Sequence, residues 1–266
     1  ISWTTHDCYT DGVIGNFDDK PIQPGTRINT NDNYYAIIAD VEASLALKKI
    51  NPEMSEKSKK YAIEYWDLLV ASPPRWNTER LSIAILAGTK LYGLTKSEEV
   101  KNLTIGLADS LLTYQQVEPM NWSIPLSGFF YMGKGTDRFF GYNHSCSVAS
   151  PILGIVELCK LFPKNEKYPQ WHKSVTLHAN YLRIIAKVTS PYNMFPANIY
   201  KLNGKDDDVQ IVQGVKLDDN HYLRMFPVWQ AFRGNSSVIL SHGIGLASAN
   251  QLLNDPEMHT IALAQL

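Results

Sequence analysis

From Asn31 onward, apolar residues recur at spacings of three and four, the period that lines one face of an α-helix. The pattern comes in blocks of helix length separated by Pro, Gly and Asn. Eight blocks are predicted, at roughly 31–50, 54–71, 77–93, 96–116, 145–162, 168–188, 234–254 and 256–266. The connections Asn51-Pro52-Glu53, Leu94-Thr95 and Asn254-Asp255 are too short for anything but antiparallel neighbours, so the blocks pair into four helical hairpins.

The blocks also alternate in character. "AIIADVEASLALKKI", "LSIAILAGTKLYG", "SVASPILGIVELCKLF" and "SSVILSHGIGLASANQLL" carry small and apolar residues on most faces, as helices packed on all sides require. "SEKSKKYAIEYWDLLV", "SEEVKNLTIGLADSLLTYQQ" and "YPQWHKSVTLHANYLRIIAKV" set a charged face against an aromatic or Leu face. Two helical layers follow. The expected fold is all-α, antiparallel hairpins of an (α/α)6 toroid with four hairpins visible; an open solenoid shares the local pattern. The irregular repeat and the long connections before two inner helices favour the toroid. Residues 1–266 are read as a single toroid domain. Because the chain opens without Met and stops inside an apolar helical pattern, it is also read as a segment of a longer catalytic domain.

Two connections are long. Residues 117–144 alternate apolar and polar residues around Gly133-Lys134-Gly135, which predicts a small β-hairpin excursion. Residues 189–232 form the second; its Asp206-Asp207-Asp208 run reads as a solvated turn, since the pattern of flanking calcium ligands is incomplete. Long ordered loops on one side of a rigid body are common places for function.

Composition narrows the partner. With 44% hydrophobic and 19% charged residues, the chain can build a core without disulfides or metals. Cys8, Cys146 and Cys159 have no metal-ligand spacing and form no CxxC, so they are read as free thiols, and no metal or other cofactor is expected. A net charge of -1 supplies no field to gather nucleic acid, and no apolar run reaches the roughly 20 residues of a membrane span. No nucleic-acid binding and no membrane insertion are therefore expected. Aromatic residues reach 11%, several of them in loops beside Asn, His or Arg. Aromatic faces pack on the C–H faces of pyranose rings while polar groups take the hydroxyls, so a carbohydrate partner fits.

In such an array the inner helices start at one pole. Asn29-Thr30-Asn31-Asp32, Arg75-Trp76-Asn77-Thr78-Glu79, Tyr142-Asn143-His144-Ser145 and Arg233-Gly234-Asn235-Ser236 fall there. Their Asn, Thr, Ser and Asp residues are explained as helix caps; Thr78 and Ser145 need no ligand. Trp76, Tyr142, His144 and Arg233 are not explained by capping and are candidate substrate-binding residues. Trp122 joins them from the first excursion. The loop Lys216–Arg224 adds Asp218 and His221, and Trp229 follows it. A carboxylate and a His beside an aromatic platform can bind or protonate a glycosidic oxygen. His172, His178 and His259 share no metal spacing and are read as structural, as is mid-helix His242, expected to be a satisfied core histidine. Asp7 and Asp11, four residues apart beside His6, are the candidate catalytic carboxylates: inverting glycosidases need a base that activates water and a distant acid. No G-x-S-x-G, P-loop, dinucleotide fingerprint or H-E-x-x-H occurs.

The stretch Phe226-Pro227-Val228-Trp229-Gln230-Ala231-Phe232-Arg233-Gly234-Asn235-Ser236, leading into "VILSHGIGLASANQLLNDPEMHTIALAQL", resembles the late helical hairpin of family nine glycoside hydrolases, which are cellulase-like, and of their bacterial relatives. The alternating hairpins from about Asn31 are similar too, so the likeness takes in most of the chain. It implies a six-hairpin toroid, inverting hydrolysis of a β-linked polysaccharide, a secreted or periplasmic location, and a catalytic Glu lying beyond Leu266. The family's paired-aspartate motif has the form His-Asp-Ala-Gly-Asp; His6-Asp7-Cys8-Tyr9-Thr10-Asp11 is one residue longer. Two other functions share the pattern: a polysaccharide lyase or sugar epimerase on the same toroid, with a His or Tyr as base, and a non-catalytic helical module that binds a glycan or protein.

Overall fold

The computed structural model describes residues 30–71, 73, 76–140, 150–196, 198–202, 214–224 and 235–265, with backbone alone for 30, 32, 198 and 235–240. Among these residues the chain is mostly helical: α1 (Thr30–Leu47), α2 (Pro52–Ala71), α3 (Thr78–Thr95), α4 (Glu98–Leu112), α5 (Leu153–Leu161), α6 (Tyr168–Lys187), α7 (Asn235–Leu253) and α8 (Pro256–Leu263). Local chemistry sets the starts. Asn51, Asn77, Ser97 and Asp255 each accept a backbone N–H of the first turn of α2, α3, α4 and α8, so capping explains Asn77 as expected. Lys96 and Asn254 take left-handed backbone (φ 57 and 52) at the short connections after α3 and α7.

Contacts divide the chain into two units, Ile1–Pro74 and Arg75–Leu266. In the first, α1 packs on α2. Tyr34 meets Trp66 edge to face at 6.5 Å, and near the connecting turn Ser55 Oγ donates to the Ser44 carbonyl at 2.7 Å. Short serines there let the two backbones approach.

In the second unit α3 is buried along nearly its whole circumference, from Leu81 through Ser82, Ile83, Ala84 and Ile85 to Leu91. Its neighbour α4 buries only Val100, Thr104, Ala108 and Leu111, one stripe at helical spacing. The expected contrast between enclosed and covering helices holds for this pair. α5 lies against α3 so closely that a Cβ on Gly154 would sit 2.5 Å from Ile85 Cγ2. α6 turns a broad face inward through Trp171, Val175, Ala179, Leu182 and Ile185, and packs against α5, α7 and α8. Leu81, Ile85, Ile155, Leu158 and Trp171 all belong to one continuous core.

Two elements differ from the all-α expectation. Among the described residues of 117–144 the predicted hairpin is reduced to a single antiparallel bridge, Tyr131↔Phe139, around the Gly133–Gly135 turn, with a second bridge, Gln115↔Phe130, tying the segment to the end of α4; residues 141–144 lie outside the described residues. The bulky residues that suggested strands are spent on the core, where Trp122, Leu126, Phe129, Phe130 and Phe140 are buried. The same pairing ends α4 four residues early, because Gln116 N–H donates to the Phe129 carbonyl and the Gln116 carbonyl accepts from Gly128 N–H. The second excursion instead carries a three-stranded antiparallel sheet, β1 (Asn198–Lys201), β2 (Gly214–Lys216) and β3 (His221–Arg224), ordered β1-β3-β2. Tyr200 pairs with Tyr222, and Lys216 pairs with Tyr222 from the other side. Of the block predicted at 145–162, residues 145–149 lie outside the described residues; the chain turns at 150–152, with Leu153 N–H on the Ser150 carbonyl, and α5 begins at Leu153. The Asp206–Asp208 run lies outside the described residues.

Candidate functional site

The site grows from the turn that joins β2 to β3. Leu217 is buried and its N–H donates to the His221 carbonyl at 2.8 Å, which closes the turn. Asp218 Oδ1 accepts from Asn220 N–H at 2.7 Å and His221 N–H at 2.8 Å, the arrangement by which a short carboxylate shapes a turn. The His221 ring folds back over this carboxylate, with Nδ1 2.9 Å from both Oδ1 and Oδ2. A carboxylate only accepts, so the proton between them is on Nδ1. Burial opposes ionisation of Asp218, but the N–H groups of Asn220 and His221 and the imidazole outweigh it and hold the carboxyl below its ordinary value. The adjacent Asp219 points to Lys216 Nζ at 2.9 Å, in solvent.

Aromatic rings from the first excursion hold the imidazole. Trp122 lies 5.1 Å from it, tilted by 36°, and Phe139 meets it edge to face at 5.7 Å. Behind them Trp122 stacks on Phe129 at 5.8 Å, and Phe139 packs on Tyr131 at 5.4 Å. The backbones are joined as well. Ser123 N–H donates to the Leu217 carbonyl at 2.8 Å and Ser123 Oγ to the Lys216 carbonyl at 2.7 Å. On the far side of the turn Lys201 on β1 pairs with Asp137 at 2.6 Å, and that hydrogen bond lowers the pKa of the carboxyl.

Of the sequence candidates, Trp122, Asp218 and His221 therefore come together. Trp122 does so in a different role from the open platform expected of it: it is 8% exposed, stacked with Phe129 and packed beside His221. It supports the imidazole. The half-buried ring next to His221 is Phe139, with half-buried Tyr131 packed on it in turn, and the sequence pattern singled out neither. Trp76 is half-buried against the core. The start of its helix is fastened to the same segment: Thr78 N–H donates to the Met132 carbonyl at 2.9 Å and Thr78 Oγ1 to the Tyr131 carbonyl. Thr78 is thus a tether rather than a cap. Asp7, Asp11, Tyr142, His144, Trp229 and Arg233 lie outside the described residues.

Two other histidines of this unit, His178 and His242, sit deep between helices, whereas His172 is half-buried and His259 exposed. His178 on α6 bonds the Gly128 carbonyl through Nδ1 at 2.9 Å, and its ring centre is 6.4 Å from that of His242 on α7. His178 Nε2 and His242 Nδ1 are buried without hydrogen-bond partners, so His242 is a core histidine but not a satisfied one. Burial pushes His178 down to about 4 and His242 to about 3, and both rings are neutral near pH 7. The neighbouring Tyr181 hydroxyl is raised by the same burial. Burial also pushes the Cys159 thiol up to about 12, which leaves it unreactive. Among the described residues no cluster of three or more His, Cys, Asp or Glu could hold a metal ion, and no helix is long and apolar enough to cross a membrane.

No protein-family model matches the chain, and no curated protein matches it.

Proposed function

We propose that the chain is part of a carbohydrate-processing enzyme, an inverting glycoside hydrolase on a six-hairpin α/α-toroid, and that the β2–β3 turn meets its sugar. The observation that carries the reading is the convergence of a His–Asp pair with the Phe139 and Tyr131 rings, assembled from two excursions far apart in sequence. Half-buried aromatic rings suit the C–H face of a pyranose, and an oriented imidazole suits its hydroxyls. Consecutive antiparallel hairpins with an enclosed α3 and a one-sided α4 fit the same architecture. In this reading Asp7 and Asp11 are the carboxylates on the base side of the reaction. One takes a proton from water as the hydroxyl adds to the anomeric carbon, and the glycosidic oxygen departs with the proton of a separate acid.

The test is product chemistry. β-Linked glucan, xylan and mannan are incubated with the chain, alone and within any longer protein that carries it, and the first-formed anomer is followed by NMR. Release of the α-anomer from a β-linkage supports inverting hydrolysis. The β-anomer contradicts inversion, an unsaturated product contradicts hydrolysis, and glycan binding with no bond cleaved reduces the chain to a binding module.

A further inference from the structure

We infer that His221 Nε2 is the atom that accepts a hydrogen bond from a hydroxyl of a neutral sugar, and that Asp218 is a positioning residue which does not touch the ligand. This rests on the carbohydrate reading and narrows it. The Asp218 oxygens are already occupied: Oδ1 takes the N–H groups of Asn220 and His221, and both oxygens face His221 Nδ1. The backbone of His221 is spent too, its N–H on Asp218 and its carbonyl on the N–H groups of Leu217 and Asp218. Nε2 is the remaining polar atom of the residue. Unlike His178 Nε2 and His242 Nδ1, it is not a buried atom without a partner, and the side chain keeps 18% exposure.

The tautomer decides what such an atom recognises. With the proton of the neutral ring held on Nδ1 by Asp218, Nε2 presents a lone pair. A lone pair backed by a carboxylate attracts a donor and disfavours an anion. A sugar hydroxyl fits; a uronate carboxylate does not. Trp122 and Phe139 fix the ring plane, so the lone pair has one direction rather than many, which is how a single acceptor becomes selective.

Histidine-assigned long-range proton–nitrogen NMR on the full chain tests this, with cellotetraose as the neutral probe and tetragalacturonate as the anionic one. The expected result is an Nδ1–H tautomer in the free protein and a cellotetraose-dependent shift at Nε2. Asp218→Asn keeps an acceptor for the turn but mixes the tautomers, and is expected to weaken cellotetraose binding about tenfold with the melting temperature little changed. His221→Gln, whose amide oxygen can reach the position of Nε2 and accept there, should retain more binding than His221→Asn, whose shorter amide reaches only the position of Nδ1. An Nε2–H tautomer, equal binding by those two variants, unchanged binding by Asp218→Asn, or a response to tetragalacturonate alone overturns the inference. Cellotetraose shifts elsewhere in the chain with His221 silent overturn it while leaving the carbohydrate reading in place. Silence of the whole spectrum to both sugars overturns both.

Discussion

Three histidines in the second unit sit in two opposite environments. His178 and His242 are buried on α6 and α7, each with one ring nitrogen unpaired, and burial is the largest influence on their charge. His221 lies in a β-turn with a carboxylate on one nitrogen and aromatic rings around it. The difference is between an imidazole whose burial bears on stability and one that a carboxylate and aromatic rings hold in a single orientation. Burial without a partner keeps an imidazole neutral and out of reach, whereas partial burial with a partner gives it a defined tautomer and a usable face.

The largest expected break in this comparison is by acid. The folded-state values of His178 and His242 lie below the ordinary 6.5, so the unfolded chain binds more protons in the window between 6.5 and about 4. Stability contributed by the neutral rings is fully present above 6.5 and is lost as pH falls through that window. The loss reaches up to about 3 kcal/mol for each ring by pH 4. Denaturant midpoints measured from pH 7 to pH 4 should fall steeply, and His242→Leu should flatten the slope; equal slopes would mean that the pair is not the cause.

Removing the support behind His221 ranks next. Trp122→Ala deletes a buried ring packed against both Phe129 and the imidazole and should cost about 3 kcal/mol in urea unfolding. It should also broaden the His221 ring signals, because the imidazole loses a wall; sharp, unshifted signals would show that the turn holds the ring by itself. The helical body answers to a different change. Gly154→Ala forces a Cβ into Ile85 and the backbone of α3, and should lower stability by about 2 kcal/mol while leaving the His221 signals in place. Smallest of all, Lys201→Met removes an exposed ion pair with Asp137 and should leave the thermal midpoint unchanged within error.

The helices could be read from the chain because their apolar period runs for many residues and their caps are local. Asn77 three residues before Arg80, and Asp255 before Pro256-Glu257, carry their own signal. The sheet could not be read, since strands of three or four residues, such as Gly214–Lys216, are too short for a period of two to stand out. The hairpin predicted at residues 117–144 shrinks, among the described residues, to one bridge at its turn, because the alternating aromatic residues pack inward around Gly128, where an added Cβ would meet the Leu177 carbonyl at 2.1 Å. Asp218, His221 and Trp122 were recognisable as polar and aromatic types in long loops. Their meeting was not, because it depends on Ser123 reaching the Lys216 carbonyl across the fold, a pairing that leaves no mark on local sequence. Phe139 and Tyr131 were hidden for the same reason.

The central claim is that this turn is where a sugar binds, and a crystal structure of the chain soaked in cellotetraose tests it most directly. The account predicts a glucose ring against Phe139 and Tyr131 with a hydroxyl within hydrogen-bond distance of His221 Nε2. Ordered cellotetraose elsewhere on the second unit, with the His221 turn untouched, would contradict it.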